Sequence, residues 1–388
     1  MAESYDLIFA GGGLSSCLAA YRIAGAHPGL RLAIAEAGER LGGNHTWSFH
    51  ETDVTRDQLS WVDPFVVHRW EGQRVRFPDR ERRLTTRYLS VTSDRLHAVV
   101  SQAPNIDVLT GAPVAQADPN GVTLADQRRL TGPVLDGRGA RPSAHLTLGY
   151  QKFLGQELRT RVPHGIATPM IMDATVPQTD GYRFVYVLPL SGDVLHVEDT
   201  YYADGDDLPK EVLRDEIARY AAREGWDVAE VVREEDGILP IVLEGDIDAF
   251  LAEMEGAPAP LGLRAGVFNQ ITGYSLPASA AMADALSAAC AGGVPDAKAL
   301  SALVRGEVRR LWEAQSFYRA LNRMLFRAAD PPLRYVVLQR HYGLSQGLIE
   351  RFYAGRSSWA DKARILAGKP PVPIHRAIKA LPPRRTAA

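Results

Sequence analysis

The sequence predicts an α/β protein, α+β overall, and three observations carry that prediction. The first fifty residues run apolar strand, Gly-rich turn, helix, apolar strand and acid. Residues 144–250 change to short alternating segments separated by Pro, Gly and Asp turns, the signature of a largely antiparallel sheet. From Ala297 onward the apolar spacing is helical, with one break at Asp330-Pro331-Pro332.

Taken in order, residues 5–10 form an apolar run suited to a buried parallel strand. Gly11-Gly12-Gly13-Leu14-Ser15-Ser16 then opens a helix, and a second strand at 30–35 ends on Glu36. In that order a G-x-G turn sets backbone N–H groups at a helix N-terminus, where a diphosphate binds, and the acid meets a ribose. Gly11 allows the tight turn, Gly13 the close approach, and Leu14 and Ser15 begin the helix. Ser16 stands where a third Gly is usual and is still small. Arg40-Leu41-Gly42-Gly43 follows the acid and resembles the flavoprotein form of this Rossmann-like unit, so FAD is the expected cofactor, with Arg40 and Gly43 among its contacts.

Residues 74–77 and 82–84 read as a hairpin around Pro78-Asp79, and 93–102 as a helix starting at Ser93-Asp94. Segments 107–109 and 122–124 read as strands of a small meander. Residues 133–139 form a strand ending in Asp136 and glycines near the cofactor. The inserted sheet takes 182–188, 194–202 and 237–243, with a helix at 209–224 between them. A Gly-containing strand at 263–266 and a helix from 272–277 to about 291 supply the other half of the clamp, through Gly266, Thr272, Gly273, Tyr274 and Ser275. The expected division is an FAD-binding domain (1–73, 93–143, 260–296), a substrate domain (74–92, 144–259) and a helical region (297–388) with a Pro-rich tail at 369–373 and 382–383.

Composition narrows the class. A chain of 388 residues, 46% hydrophobic and 23% charged, is globular and long enough for two interleaved domains. The N-terminus is polar and acidic, unlike a secretory signal. The longest small-residue apolar run, 276–294, is interrupted by Asp284 and Gly292, so no spanning segment is expected. Cys17 and Cys290 lack any paired motif and read as buried thiols in a reducing cytoplasm. His45 and His50 have no ligand spacing, and no metal is expected. The net charge of −2 is lopsided: residues 300–388 carry +12 and the rest −14. This basic stretch interleaves Trp312, Phe317, Tyr318, Phe326, Tyr335, Tyr342, Phe352, Tyr353 and Trp359. With no nucleic-acid-binding motif beside it, an anionic membrane surface is the expected partner and nucleic acid is not.

Several longer motifs carry a family resemblance. Residues 42–50 (Gly-Gly-Asn-His-Thr-Trp-Ser-Phe-His), 197–202 (Val-Glu-Asp-Thr-Tyr-Tyr), 272–277 (Thr-Gly-Tyr-Ser-Leu-Pro), 317–325 and 347–355 together resemble the bacterial lycopene β-cyclases, from the first strand to Leu381. The resemblance implies a flavoprotein of carotenoid biosynthesis that turns the ψ ends of lycopene into β-ionone rings, giving γ-carotene and then β-carotene. It implies reduced FAD, electrons from NADPH or NADH, no net redox change, and lycopene or other acyclic carotenoids as substrates. The expected location is cytoplasmic, peripheral to the inner face of the cell membrane. It also favours Glu198 as proton donor with Asp199 in support.

The residues can be weighed against that chemistry. Protonating an isolated C=C bond needs an acid in an apolar, water-free pocket, because burial keeps a carboxylic acid protonated and water would capture the cation. Along the strand at 194–202 alternate side chains oppose each other, so Glu198 shares a face with His196 and Thr200 while Asp199 faces the other side with Val197 and Tyr201. Trp47, Phe49, Tyr182, Tyr186 and Tyr274 are candidate aromatic walls for the cation. Two other readings stay open here: an FAD-dependent reductase or hydroxylase of another isoprenoid lipid, and a non-catalytic flavin-bearing lipid carrier.

Overall fold

A computed structural model describes residues 3–368 and 370–382. Lys369 and Pro383 of the Pro-rich tail lie outside the described residues. The chain forms a mixed α/β fold with a Rossmann-like parallel sheet, a large antiparallel sheet and C-terminal helices.

The parallel sheet has the order Ala259–Pro260, Val134–Asp136, Leu7–Ala10, Leu32–Ala35, Ile106–Leu109. Leu7–Ala10 is wholly buried, as its unbroken apolar run requires. Helix Leu14–Ala26 and helix Leu276–Ala289 pack together against this core; both are rich in Ala and Ser, and Ser15 Oγ lies 2.6 Å from Ser279 Oγ. Two expectations are corrected. Ile106–Leu109 does not join a meander but extends the parallel sheet, burying Ile106 in the core. The meander is instead Val114–Asp118, Gly121–Leu124 and Arg129–Thr131, with Glu3–Ser4 added in parallel. Residues 263–266 are not a strand: Gly262–Ala265 is a 3-10 turn closed by Gly266 at φ +75°, and the strand is the short Ala259–Pro260 just before it.

The seven-stranded sheet has the order Val228–Gly245, Leu146–Thr160, Val194–Ala203, Tyr182–Pro189, Met170–Asp173, Gln73–Phe77, Arg80–Leu84. All its pairs are antiparallel except Met170–Asp173 with Gln73–Phe77. One face packs Val185, Val187, Val197 and Tyr201 on Leu213, Ile217 and Tyr220 of helix Lys210–Arg223. A third sheet pairs Tyr88–Thr92 with Thr46–His50 and His68–Trp70, so residues 74–92 divide between two sheets.

Helix Ser316–Ala328 turns a polar face inward. Asn322 Nδ2 donates to the Val242 and Gln270 carbonyls at 2.9 and 2.6 Å. Arg323 donates to the carbonyls of Leu243, Ala380 and Leu381. Arg319 donates to Gln270 Oε1 at 2.8 Å. The basic, aromatic character read as membrane-facing is therefore partly internal. Arg319, Arg323 and Arg334 are buried, and Tyr318, Phe326, Tyr342 and Tyr353 are core.

Candidate active site

Two adjoining clefts hold most of the singled-out residues. The first, of about 510 Å³, is walled by Gly11 to Ser16, Glu36, Gly42, Gly43, and residues 137–139. Gly11 sits at φ +92°, and a Cβ there would meet the Gly137 carbonyl at 3.0 Å, so only glycine fits this turn. Gly13 differs. At φ −72° it precedes the helix, and a Cβ on it would find nothing closer than 4.0 Å. The first helical turn carries no acid, leaving its N–H groups free for an anion in the cleft. The Glu36 carboxylate accepts from the Gly12 and Gly38 amides at 2.6 and 2.7 Å. A roomy glycine cradle, a helix N-terminus and an acid on the next strand fit a dinucleotide such as FAD.

Not every residue expected at the cofactor lines that cleft. Arg40 pairs with Asp94 on the surface, 3.0 Å away. Asp136 lies behind the wall, binding Arg138 at 2.8 Å through each oxygen and pairing with Arg264 at 3.0 Å; Arg138 does line the cleft. Gly266 is also set back, while Gly262 and Leu263 take its place. Thr272 opens into a small buried space among His50, Tyr88 and Tyr353.

The second cavity, of about 150 Å³, shares His45, Trp47, Leu263 and Ser275 with the first. Its far wall is the exposed-to-cavity face of the large sheet. There Glu198, His196, Tyr186, Gln151, Phe153 and Glu235 meet Gly273 and Tyr274 from the opposite side. Cross-strand register explains the grouping: Glu198 faces Tyr186 on one neighbour and Gly155 on the other, and Gly155 in turn faces Glu235. Glu198 Oε1 accepts from the Thr200 hydroxyl at 2.5 Å. Glu198 Oε2 and Glu235 Oε1 both lie 3.6 Å from His196 Nε2. Burial pushes the Glu235 carboxyl up, against the pull of His196 and Arg233. Burial alone would lower the His196 imidazole, but Glu198 and Glu235 overcome it and raise it.

Asp199, expected to support the acid, points away from this cavity. It is fully buried on the helix-covered face in a two-point pair with Arg183, at 2.8 and 3.2 Å. The alternation of the strand decides this. Of the aromatic candidates, Trp47, Tyr186 and Tyr274 line the cavity. Phe49 belongs to the core of the parallel sheet, and Tyr182 stacks on Phe184 and lies tilted against Tyr202 further along the large sheet. Glu235 lies on a strand that runs from Val228, nine residues before the segment expected at 237–243, so its place in the sheet is a finding of the structure. His196, Glu198 and Glu235 place three ligand-type atoms within 4.8 Å of one another, a cluster that residue spacing along the chain does not disclose.

Comparisons with known proteins bear on the fold and the family. Among solved structures, a geranylgeranyl bacteriochlorophyll reductase-like protein from Thermoplasma acidophilum is 14% identical at TM-score 0.61, covering 98% of both chains. The p-nitrophenol 4-monooxygenase PnpA of Pseudomonas putida is 15% identical at TM-score 0.62, covering 92% of this chain and all of that one. At such identities they share the fold. Closer in sequence are lycopene β-cyclases of Pseudescherichia vulneris (48% identical, covering 97% of this chain and 96% of that protein) and Pantoea ananas (44%, covering 98% and 99%). A third, from a Paracoccus species, is 45% identical and covers 98% of each. The family described as lycopene cyclase protein matches residues 6–379, and the chain belongs to that family.

Proposed function

We propose that this chain is a lycopene β-cyclase, an isomerase that closes the ψ ends of lycopene into β rings with FAD in the glycine cradle. The observation that carries the mechanism is Glu198, anchored at the wall of a cavity that opens onto that cradle. Glu198 would protonate C2 of the ψ end, leaving a cation at C1 that the C5=C6 pair attacks. Tyr186, Trp47, Tyr274 and Phe153 bound the space in which that cation forms, each face offering about 0.5–2 kcal/mol of cation–π attraction. The same side chains exclude water, which would capture it. When bound, reduced FAD supplies negative charge beside the cavity, its electrons coming from NADPH or NADH. Gly11, Gly13, Leu14, Ser15, Glu36, Gly43 and Ser275 would hold it.

The test is anaerobic incubation with lycopene in lipid, FAD and NADPH, followed by chromatography and mass spectrometry. The wild-type protein is expected to yield products isomeric with lycopene. Gly13→Val is expected to fold, because its backbone conformation is open to any residue and no packed atom is near, yet to bind no flavin and form no product. A gain of two mass units would make the enzyme a reductase instead.

We also propose docking on an anionic membrane surface. No helix among the described residues is long and apolar enough to cross a membrane. Large apolar side chains nonetheless stand exposed on the last two helices: Trp359 at 86%, Leu366, Ile374 and Ile378. Exposed Arg356, Arg364, Arg376 and Lys379 lie among them in sequence. Apolar insertion with a basic surround is how an interfacial helix binds lipid. Flotation with vesicles containing phosphatidylserine should recover the protein, less so at high salt. Ile374→Asp with Ile378→Asp should release it without loss of bound FAD. Equal recovery on neutral vesicles would remove the electrostatic part.

A further inference from the structure

Cyclisation consumes one proton at C2 and releases another from C6, so an enzyme that gives a proton must take one back in every turnover. C2 is bonded to C1 from the start, and C6 becomes bonded to it on ring closure. A donor and an acceptor a few ångström apart can therefore serve the two steps on one bound chain end. The cavity wall holds such a pair. Each carboxylate has one oxygen anchored, Glu198 Oε1 by the Thr200 hydroxyl at 2.5 Å and Glu235 Oε2 by Arg233 at 2.7 Å. Each turns its other oxygen to the same atom, His196 Nε2, at 3.6 Å. His196 and Glu235 are buried, and His196 Nδ1 has no hydrogen-bond partner among the described residues, so nothing ties the ring from its other side.

Gly155 makes this arrangement possible. It lies between Glu198 and Glu235 in the sheet register, and a Cβ there would come within 2.6 Å of His196 Cε1 and 2.9 Å of Nε2. The imidazole occupies the space that a side chain in mid-strand would fill.

We propose that Glu235 is the base that removes the C6 proton and that His196 returns this proton to Glu198, rearming the acid. This rests on Glu198 being the donor. In the first step Glu198 loses a proton to C2, and C6 bonds to C1, leaving the cation at C5. In the second, the C6–H bond breaks, its electron pair forms the C5=C6 bond of the ring, and the Glu235 carboxylate takes the proton. His196 Nε2 then accepts it from Glu235 and passes it to the Glu198 carboxylate. No electron is gained or lost. The trio is also spaced as metal ligands would be, but a bound cation would hold Glu198 ionised and disable it as an acid.

The charged and titratable groups around His196 support the assignment. From its own strand comes Glu198, and from the adjacent strand Glu157, its register partner. Glu235 and Arg233 face it from the next strand; Arg233 also binds Glu157 at 2.7 Å. Tyr186 stands edge-on from the other side, and Tyr274 and His45 close the opposite wall.

The test compares kcat, KM, flavin content and pH profile of the FAD-loaded wild type with those of Glu235→Gln, Glu235→Asp and Gly155→Ala. In the wild type, kcat should fall on the acid side as Glu235 takes up a proton. Glu235→Gln should lose about 10²-fold in kcat with KM and flavin content unchanged, and the acid limb should vanish. Glu235→Asp should restore part of both. Gly155→Ala, which alters no titratable group but displaces the ring, should lower kcat with KM unchanged, and it serves if Glu235→Gln does not fold. Wild-type kcat with an intact acid limb in Glu235→Gln would overturn the proposal. So would a loss confined to KM or flavin content, or activity that needs added divalent metal and vanishes with a chelator. Activity in Glu198→Gln would instead defeat the reading of Glu198 as donor.

Discussion

Glu198→Gln should fold, bind FAD and bind lycopene, yet lose turnover by at least about 10²–10⁴-fold, the range typical for removal of a general acid. The amide keeps the size of the side chain and its contact with Thr200, so packing gives no reason for unfolding. It cannot deliver a proton at useful pH, and an alkene offers no other easy route to a cation. The loss should appear in kcat while KM for lycopene stays near that of the wild type, because the aromatic walls are untouched. Anaerobic single-turnover assays with flavin content measured in the same samples check this. Near-native cyclisation would mean that the proton comes from another group.

Asp199→Ala should do the reverse: leave the chemistry and undermine the fold. Arg183 is only 1% exposed and meets Asp199 through two hydrogen bonds, with the Tyr201 hydroxyl also on Oδ2 at 3.0 Å. Burial pushes the Asp199 carboxyl up to about 6, while the pair holds Arg183 above the usual guanidinium value. The two-point geometry favours the ionised pair. Removing one member of a buried pair costs about 3–5 kcal/mol, since the other charge is left in low dielectric. Glu216, 2.7 Å from Arg183 Nη2, recovers part of this. Urea unfolding should show the lowered midpoint, and Asp199→Asn should fall between wild type and alanine. Turnover per folded molecule should hold in both variants; a fully folded Asp199→Asn without activity would return Asp199 to the chemistry.

The contrast between these neighbours shows what the sequence discloses and what it does not. Strand alternation alone separates Glu198 from Asp199, and the Gly11–Glu36 run announces its cleft because every piece is local in the chain. Glu235 was illegible for the opposite reason. Its nearness to Glu198 arises from the pairing of three strands through Gly155, and a glycine in mid-strand carries no sign of what its absent side chain admits. The basic C-terminal third is divided in a way its composition does not disclose. Charge can be counted from sequence, but Arg319, Arg323 and Arg334 are spent on buried carbonyls and on Asp204, which only packing reveals. Residues 263–266 misled through composition, because a Gly-containing apolar stretch suits a turn as well as a strand.

The inward polar face of helix Ser316–Ala328 has a consequence for the order in which the protein can be made. Asn322 and Arg323 fix the strand at Val242 and Leu243, Asn322 and Arg319 fix Gln270 next to the loop that walls both clefts, and Arg323 is itself held by carbonyls at Ala380 and Leu381. A nascent chain emerging from the ribosome presents its glycine cradle before these fasteners. The two clefts thus gain these ties only after the helix Ser316–Ala328 has followed the cradle, and a product terminated before Ser316 would carry the glycine turn without them.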